Sequence, residues 1–207
     1  MTWPWVTLAL LGAWHGINPG MGWLFAVSRG LQERRGSAVV WALPAIALGH
    51  ALAIAVALGV VAAARVTVPP TALRWATAAL LVAFGVSRLV RHHHPRWVGM
   101  RVGFGGLTLW SFLMATAHGA GLMLLPLFIV GAVEPSCHAR AGLVLSGPRD
   151  YVAATLLHTA AMLVVAGAIA LVVYYKLGLA LLRRAWFNVD WVWALALVAS
   201  GAFALFA

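Results

Sequence analysis

Apolar residues gather along the chain into six stretches of roughly 20 residues or more, the length a helix needs to cross about 30 Å of hydrocarbon. The first extends from about Trp5 to Ser28 and is interrupted by Asn18-Pro19-Gly20. The second covers about Ala38 to Ala64 and carries Pro44 and His50. The third, about Ala72 to Val90, follows Pro69-Pro70, which ends any helix before it. The fourth runs from about Phe104 to Val133, with His118 and Pro126 inside it. The fifth spans about Tyr151 to Tyr175 around His158. The sixth begins near Val192 and continues to the C-terminus, with Trp186, Trp191 and Trp193 as an interfacial belt. This pattern predicts an all-α integral membrane protein of six transmembrane helices.

Composition strengthens that reading. Of the 207 residues 64% are hydrophobic and 9% charged, against about 25% charged in a soluble domain. A net charge of +10 would suggest nucleic acid in a soluble protein, but here the basic residues flank apolar spans and act as a topology signal. Ten of the 14 lie around the first, third and fifth loops: Arg29, Arg34, Arg35, Arg88, Arg91, Arg96, Arg101, Lys176, Arg183 and Arg184. Arg65, Arg74, Arg140 and Arg149 lie around the other two. The first set is therefore expected in the cytoplasm, with both termini outside a multi-pass inner (plasma) membrane protein. The opening segment has no basic n-region and reads as a retained helix, not a cleaved signal. The lone Cys137 forms no intrachain disulfide and excludes a two-cysteine thiol relay.

Three spans per half have a geometric consequence. A three-helix unit repeated in tandem sits upside down the second time, giving two inverted repeats, here residues 1–101 and 102–207. The histidines follow this arrangement. His15 and His118 fall in the first span of each half, 103 residues apart. His50 and His158 fall in the second, 108 apart, in Leu-Gly-His-Ala-Leu-Ala and Leu-Leu-His-Thr-Ala-Ala.

Ionisable groups in a membrane core are costly and face a bundle interior or a watery cavity. Neutral imidazole costs less than carboxylate and is the commonest ligand of borderline divalent metals. His15, His50, His118 and His158 are thus candidate metal ligands around a pseudo-twofold axis. Asn18 offers an amide oxygen, and Met21 and Met123 offer thioethers along a substrate-binding site or pathway that includes Gly16 and Gly119. Pro19, Gly20 and Gly121 are candidate hinges, since non-helical backbone at this depth must line a cavity or be buried in protein. Broken first helices of each repeat commonly build transporter sites.

Plainer readings stand beside these. One intramembrane histidine can simply donate to a carbonyl of a neighbouring helix, and closely spaced glycines are packing surfaces more often than hinges. Pro44 and Pro126 read as packing kinks. The run His92-His93-His94, between Arg91 and Arg96, reads as the end of a basic loop before a metal trap. Cys137-His138 alone cannot complete a metal shell. No acid falls within the expected core: Glu33, Glu134, Asp150 and Asp190 all sit at loops or interfaces. Any proton coupling would therefore run through histidine.

Six spans, a three-plus-three layout and the histidine-bearing polar motif of the first span resemble the lysine-exporter superfamily, and within it the nickel/cobalt permeases and related hydrogenase/urease accessory permeases. Those carry His, four residues, then Asp-His in the first helix. Here His15 is followed by Gly16-Ile17-Asn18-Pro19-Gly20, with neither the acid nor the second histidine. The resemblance implies a permease for a metal or small solute. The expected function is a divalent transition-metal permease of the Ni/Co/Zn/Cu class. Its alternatives are an intramembrane histidine-ligated metalloenzyme or metal-loading factor, and an exporter of an amino acid or other small organic solute. Expected partners are the lipid bilayer and the metal ion or solute, with no nucleic acid; a homo-oligomer is left open.

Overall fold

The structure is a computed structural model that describes residues 3–64, 66–90, 103–125, 148–177 and 189–206. Among these residues the chain is all-helical, without strands. Helix α1 (Trp3–Ile17) is followed by a 3-10 turn (Pro19–Met21), α2 (Trp23–Glu33), α3 (Gly36–Ala64) and α4 (Pro70–Val90). Then come α5 (Phe104–Ala117), helical residues 120–125 as α6, α7 (Pro148–Val172) and α8 (Val189–Phe206), with a π turn (Val173–Leu177) closing α7. His92 to His94, Pro126, Glu134 and Cys137-His138 lie outside the described residues.

Two helical stretches, Gly36–Ala64 and Arg149–Lys176, are long and apolar enough to cross a membrane. The first and fourth apolar runs do not make single long helices, because α1 stops at Ile17 and α5 at Ala117. Pro70 opens α4, where its missing N–H is one the helix would leave unpaired anyway. Pro44 lies inside α3.

The distribution of side-chain sizes is the reverse of a soluble helix. The buried face of α3 is Ala38, Val39, Ala42, Ala45, Ile46, Gly49, His50, Ala53, Ile54 and Leu58, half of them alanine or glycine. Its outer face carries Val40, Trp41, Leu48, Leu52, Val56 and Val60, all exposed. Large apolar side chains also point outward from α1 (Leu10), α5 (Leu109) and α7 (Leu156, Val164). Close-packed small residues inside and bulky ones outside suit helices that associate by van der Waals contact in an apolar solvent. Helix α2 is the exception. It buries Trp23, Ala26, Val27 and Gly30 along one stripe and turns Arg29, Gln32 and Glu33 away from it.

Partner choice crosses between the halves. Helix α1 packs most extensively on α7, α3 on α5, and α4 on α8. Each of the first two contacts is close because a glycine faces a carbonyl. A Cβ at Gly12 would overlap the His158 oxygen, and one at Gly49 the Thr108 oxygen. Hydrogen bonds cross the same seams: Ser111 Oγ donates to Ile46 O at 2.8 Å, and His158 Nδ1 to Leu8 O at 3.1 Å. Arg74 donates Nε to the Ala204 carbonyl at 2.8 Å, tying α4 to the end of α8.

Candidate functional site

Asn18 begins the interruption of the first apolar run. Its backbone is extended, and its side-chain Oδ1 accepts the Gly20 N–H at 2.8 Å. Pro19 opens the 3-10 turn, which cannot be continued from a residue lacking an N–H into the preceding helix. Gly22, at φ 113° and ψ −10°, turns the chain into α2. The indole N–H of Trp23 donates back across the break to Ile17 O at 3.2 Å. The fourth run breaks more simply. His118 caps α5, Gly119 takes φ 69°, and helix resumes at Ala120. Gly121 lies inside that resumed helix, against Ala53 and Ala57 of α3, so the left-handed residue of this break is Gly119.

At both breaks the histidine bonds within its own helix. His15 donates Nδ1–H to Leu11 O, and His118 donates Nδ1–H to Met114 O, each at 2.8 Å. His158 uses the same nitrogen toward Leu8 O. A carbonyl can only accept, so all three rings carry their proton on Nδ1 and present a lone pair at Nε2.

The structure brings His15, His50 and His158 together. Ring centroids are 4.8 Å apart for His15–His158, 5.6 Å for His15–His50 and 5.5 Å for His50–His158. His50 and His158 lie nearly parallel, 7° apart, and His15 meets both edge-on. All three are at most 1% exposed. His118 is buried one step away: a Cβ on Gly20 would sit 3.1 Å from both His118 Nε2 and Asn18 Oδ1. Gly16 lies against the α7 backbone at Met162, while Met21 and Met123 are buried in the adjoining core.

Nε2 of His50, Nε2 of His158, Nδ2 of Asn18 and Oγ1 of Thr159 are buried without a hydrogen-bond partner. Each such atom costs on the order of 1–3 kcal/mol, and here they are concentrated around one cluster. Among the described residues no three His, Cys, Asp or Glu side chains stand as a ready-made chelate. The rings pack faces and edges instead of aiming their nitrogens at one point.

One residue escaped the sequence reading. Met162 is fully buried, one helical turn beyond His158, and shares a core cluster with Met21 and Met123. The signal was present as a His-x-x-x-Met spacing in an apolar helix, which places both side chains on one face. No family model matches the chain, and no curated protein or solved structure matches it either.

Proposed function

We propose that the chain is a multi-pass membrane permease for a transition-metal ion of the nickel, cobalt, zinc and copper class, bound by His15, His50 and His158 with His118 beside them. Two inverted three-helix repeats build it. The observation that carries the reading is the buried imidazole triad with the Nε2 atoms of His50 and His158 unsatisfied. Neutral imidazole nitrogens lacking a donor are metal ligands in waiting, and the unpaired lone pairs make an occupant energetically welcome.

The partner exchange supports the repeats: α1 on α7 and α3 on α5 are equivalent contacts under a twofold axis, and α4 on α8 lies across it. The two breaks support a pathway, since irregular backbone at membrane depth belongs beside a cavity or inside protein. Because the rings are stacked, binding through two Nε2 atoms requires them to turn.

The test is elemental analysis of the purified protein after loading with single metals, beside a His15→Ala, His118→Ala double variant. One ion per chain in the wild type and its loss in the variant is the expected result. Equal, negligible metal in both sinks the permease and the fixed-cofactor reading alike. Retention through prolonged chelation favours the cofactor. Solute binding indifferent to chelators favours the organic-solute exporter. Imidazole must be deprotonated to ligate, so bound metal should be released on strong acidification; metal held unchanged in strong acid contradicts histidine ligation.

A further inference from the structure

Among the described residues, the candidate donor set contains no carboxylate. The acids among the described residues are Glu33, Asp150 and Asp190, at the end of α2 and in the first turns of α7 and α8, away from the breaks. The described side chains proposed as donors are neutral: imidazoles, the Asn18 amide, and thioethers. Met162 is 0% exposed, Met21 2% and Met123 4%, and all three belong to one cluster of side chains. Met162 is four residues beyond His158 on α7, so the two side chains lie on the same face, one above the other. Its backbone is held against Gly16, one residue from His15 on α1. Sulfur and imidazole are therefore brought to the same crossing of α1 and α7.

Charge and softness both discriminate among ions at such a place. The cost of taking an ion out of water rises with the square of its charge, so a divalent cation pays about four times what a monovalent one does. Neutral ligands return less of that difference than carboxylates do. Thioether sulfur is a soft donor that selects Cu(I) among the biological first-row ions, whereas carboxylate and water suit the harder divalent ones. Imidazole serves either. Resting on the permease reading, we infer that the ion handled by this site is monovalent copper, held by Nε2 of the buried histidines and by the Met162 thioether, in place of the divalent ion expected from the sequence. The cargo enters and leaves as Cu(I), so no electron transfer is involved.

The experiment ranks ions on the detergent-purified protein. Cu(I), presented against a chromophoric Cu(I) chelator, and Ag(I), its redox-inert analogue, are compared with Zn(II), Ni(II) and Co(II). The expected result is one Cu(I) or Ag(I) per chain, with at least a tenfold preference over each divalent ion. A Met162→Leu variant, similar in volume and apolar, should lose about tenfold in Cu(I) and Ag(I) affinity while Zn(II) binding stays unchanged. Preference for a divalent ion overturns this inference and leaves the permease standing. No binding of any ion overturns both. X-ray absorption at the copper edge on the loaded wild type needs no variant: a shell of nitrogen with one sulfur is expected, and nitrogen alone removes Met162 from the site.

Discussion

The two helix breaks do the same thing to the chain by different means. At each, a histidine near the end of a helix donates Nδ1–H to the carbonyl four residues back, and the helix stops within three residues. The first break is then fastened at three points, by the Asn18 cap, the Pro19 turn and the Trp23–Ile17 bond. The second relies on one glycine, Gly119. The common element is the ring bonded through Nδ1 to its own helix; the means of stopping the helix is interchangeable. The first break also reaches farther, since its loop carries Gly20 to the ring of His118. One break thus supplies a histidine and a surface for the other's histidine, and the second supplies only its own.

The strongest way to disturb both is to separate the halves. Gly12→Val should push α1 off the His158 carbonyl and cost about 3 kcal/mol, the upper range for overpacking, read as a shift in denaturant midpoint in detergent. Metal binding should fall with it. A wild-type midpoint would mean that the α1–α7 contact leaves room for a side chain at Gly12.

Alanine at the left-handed glycines compares the breaks directly. At Gly119, φ 69° lies in the left-handed basin, and Gly119→Ala should cost about 1 kcal/mol. At Gly22, φ 113° lies beyond that basin and Ile46 crowds the Cβ, so Gly22→Ala should cost about 2 kcal/mol. Equal losses would show that the first turn adapts more than its fastenings suggest. Asn18→Ala should cost about 1 kcal/mol through the lost cap, and Asn18→Asp should retain most of it. Thr116→Ala, just before the second break, removes only a bond to its own helix at Phe112 and should stay within about 0.5 kcal/mol.

The smallest effect belongs to the end of α2. Solvent-exposed Glu33 is held below the usual carboxylate range by hydrogen bonds from Arg29 and then Arg35. A lowered folded-state pKa contributes stability above the ordinary carboxylate value and loses it as pH falls through the lower one. Glu33→Gln should therefore lower the melting temperature slightly near neutral pH, with the difference closing in acid. A difference that persists below about pH 3 points to packing in place of charge.

What the sequence made legible was chemistry that is out of place. His15, His50 and His158 stood out because imidazole in an apolar run is rare, and the structure gathers those three. Asn18-Pro19 announced a break because proline cannot be continued through and asparagine caps. Which glycine would take the left-handed turn was not legible: Gly119 and Gly121 look alike in sequence, and only the packing of α6 on α3 separates them. Met162 was hidden for a related reason. A methionine in an apolar helix is ordinary until its neighbours are known. The crossed pairing of α1 with α7 and α3 with α5 is a property of the assembled chain and leaves its mark only as small residues on the inner faces.

That crossed pairing sets a schedule for synthesis. The bond from His158 to Leu8 joins residues 150 positions apart, and at about 5–20 residues per second the Leu8 carbonyl waits roughly eight to thirty seconds for its partner. Throughout that interval α1 must sit in its surroundings with a polar ring and no cluster around it. The internal bonds of His15 to Leu11 and of His118 to Met114 settle each ring's N–H from the moment its own helix winds. The first-made histidine is thus chaperoned by its own backbone until α7 brings His158 to complete its company.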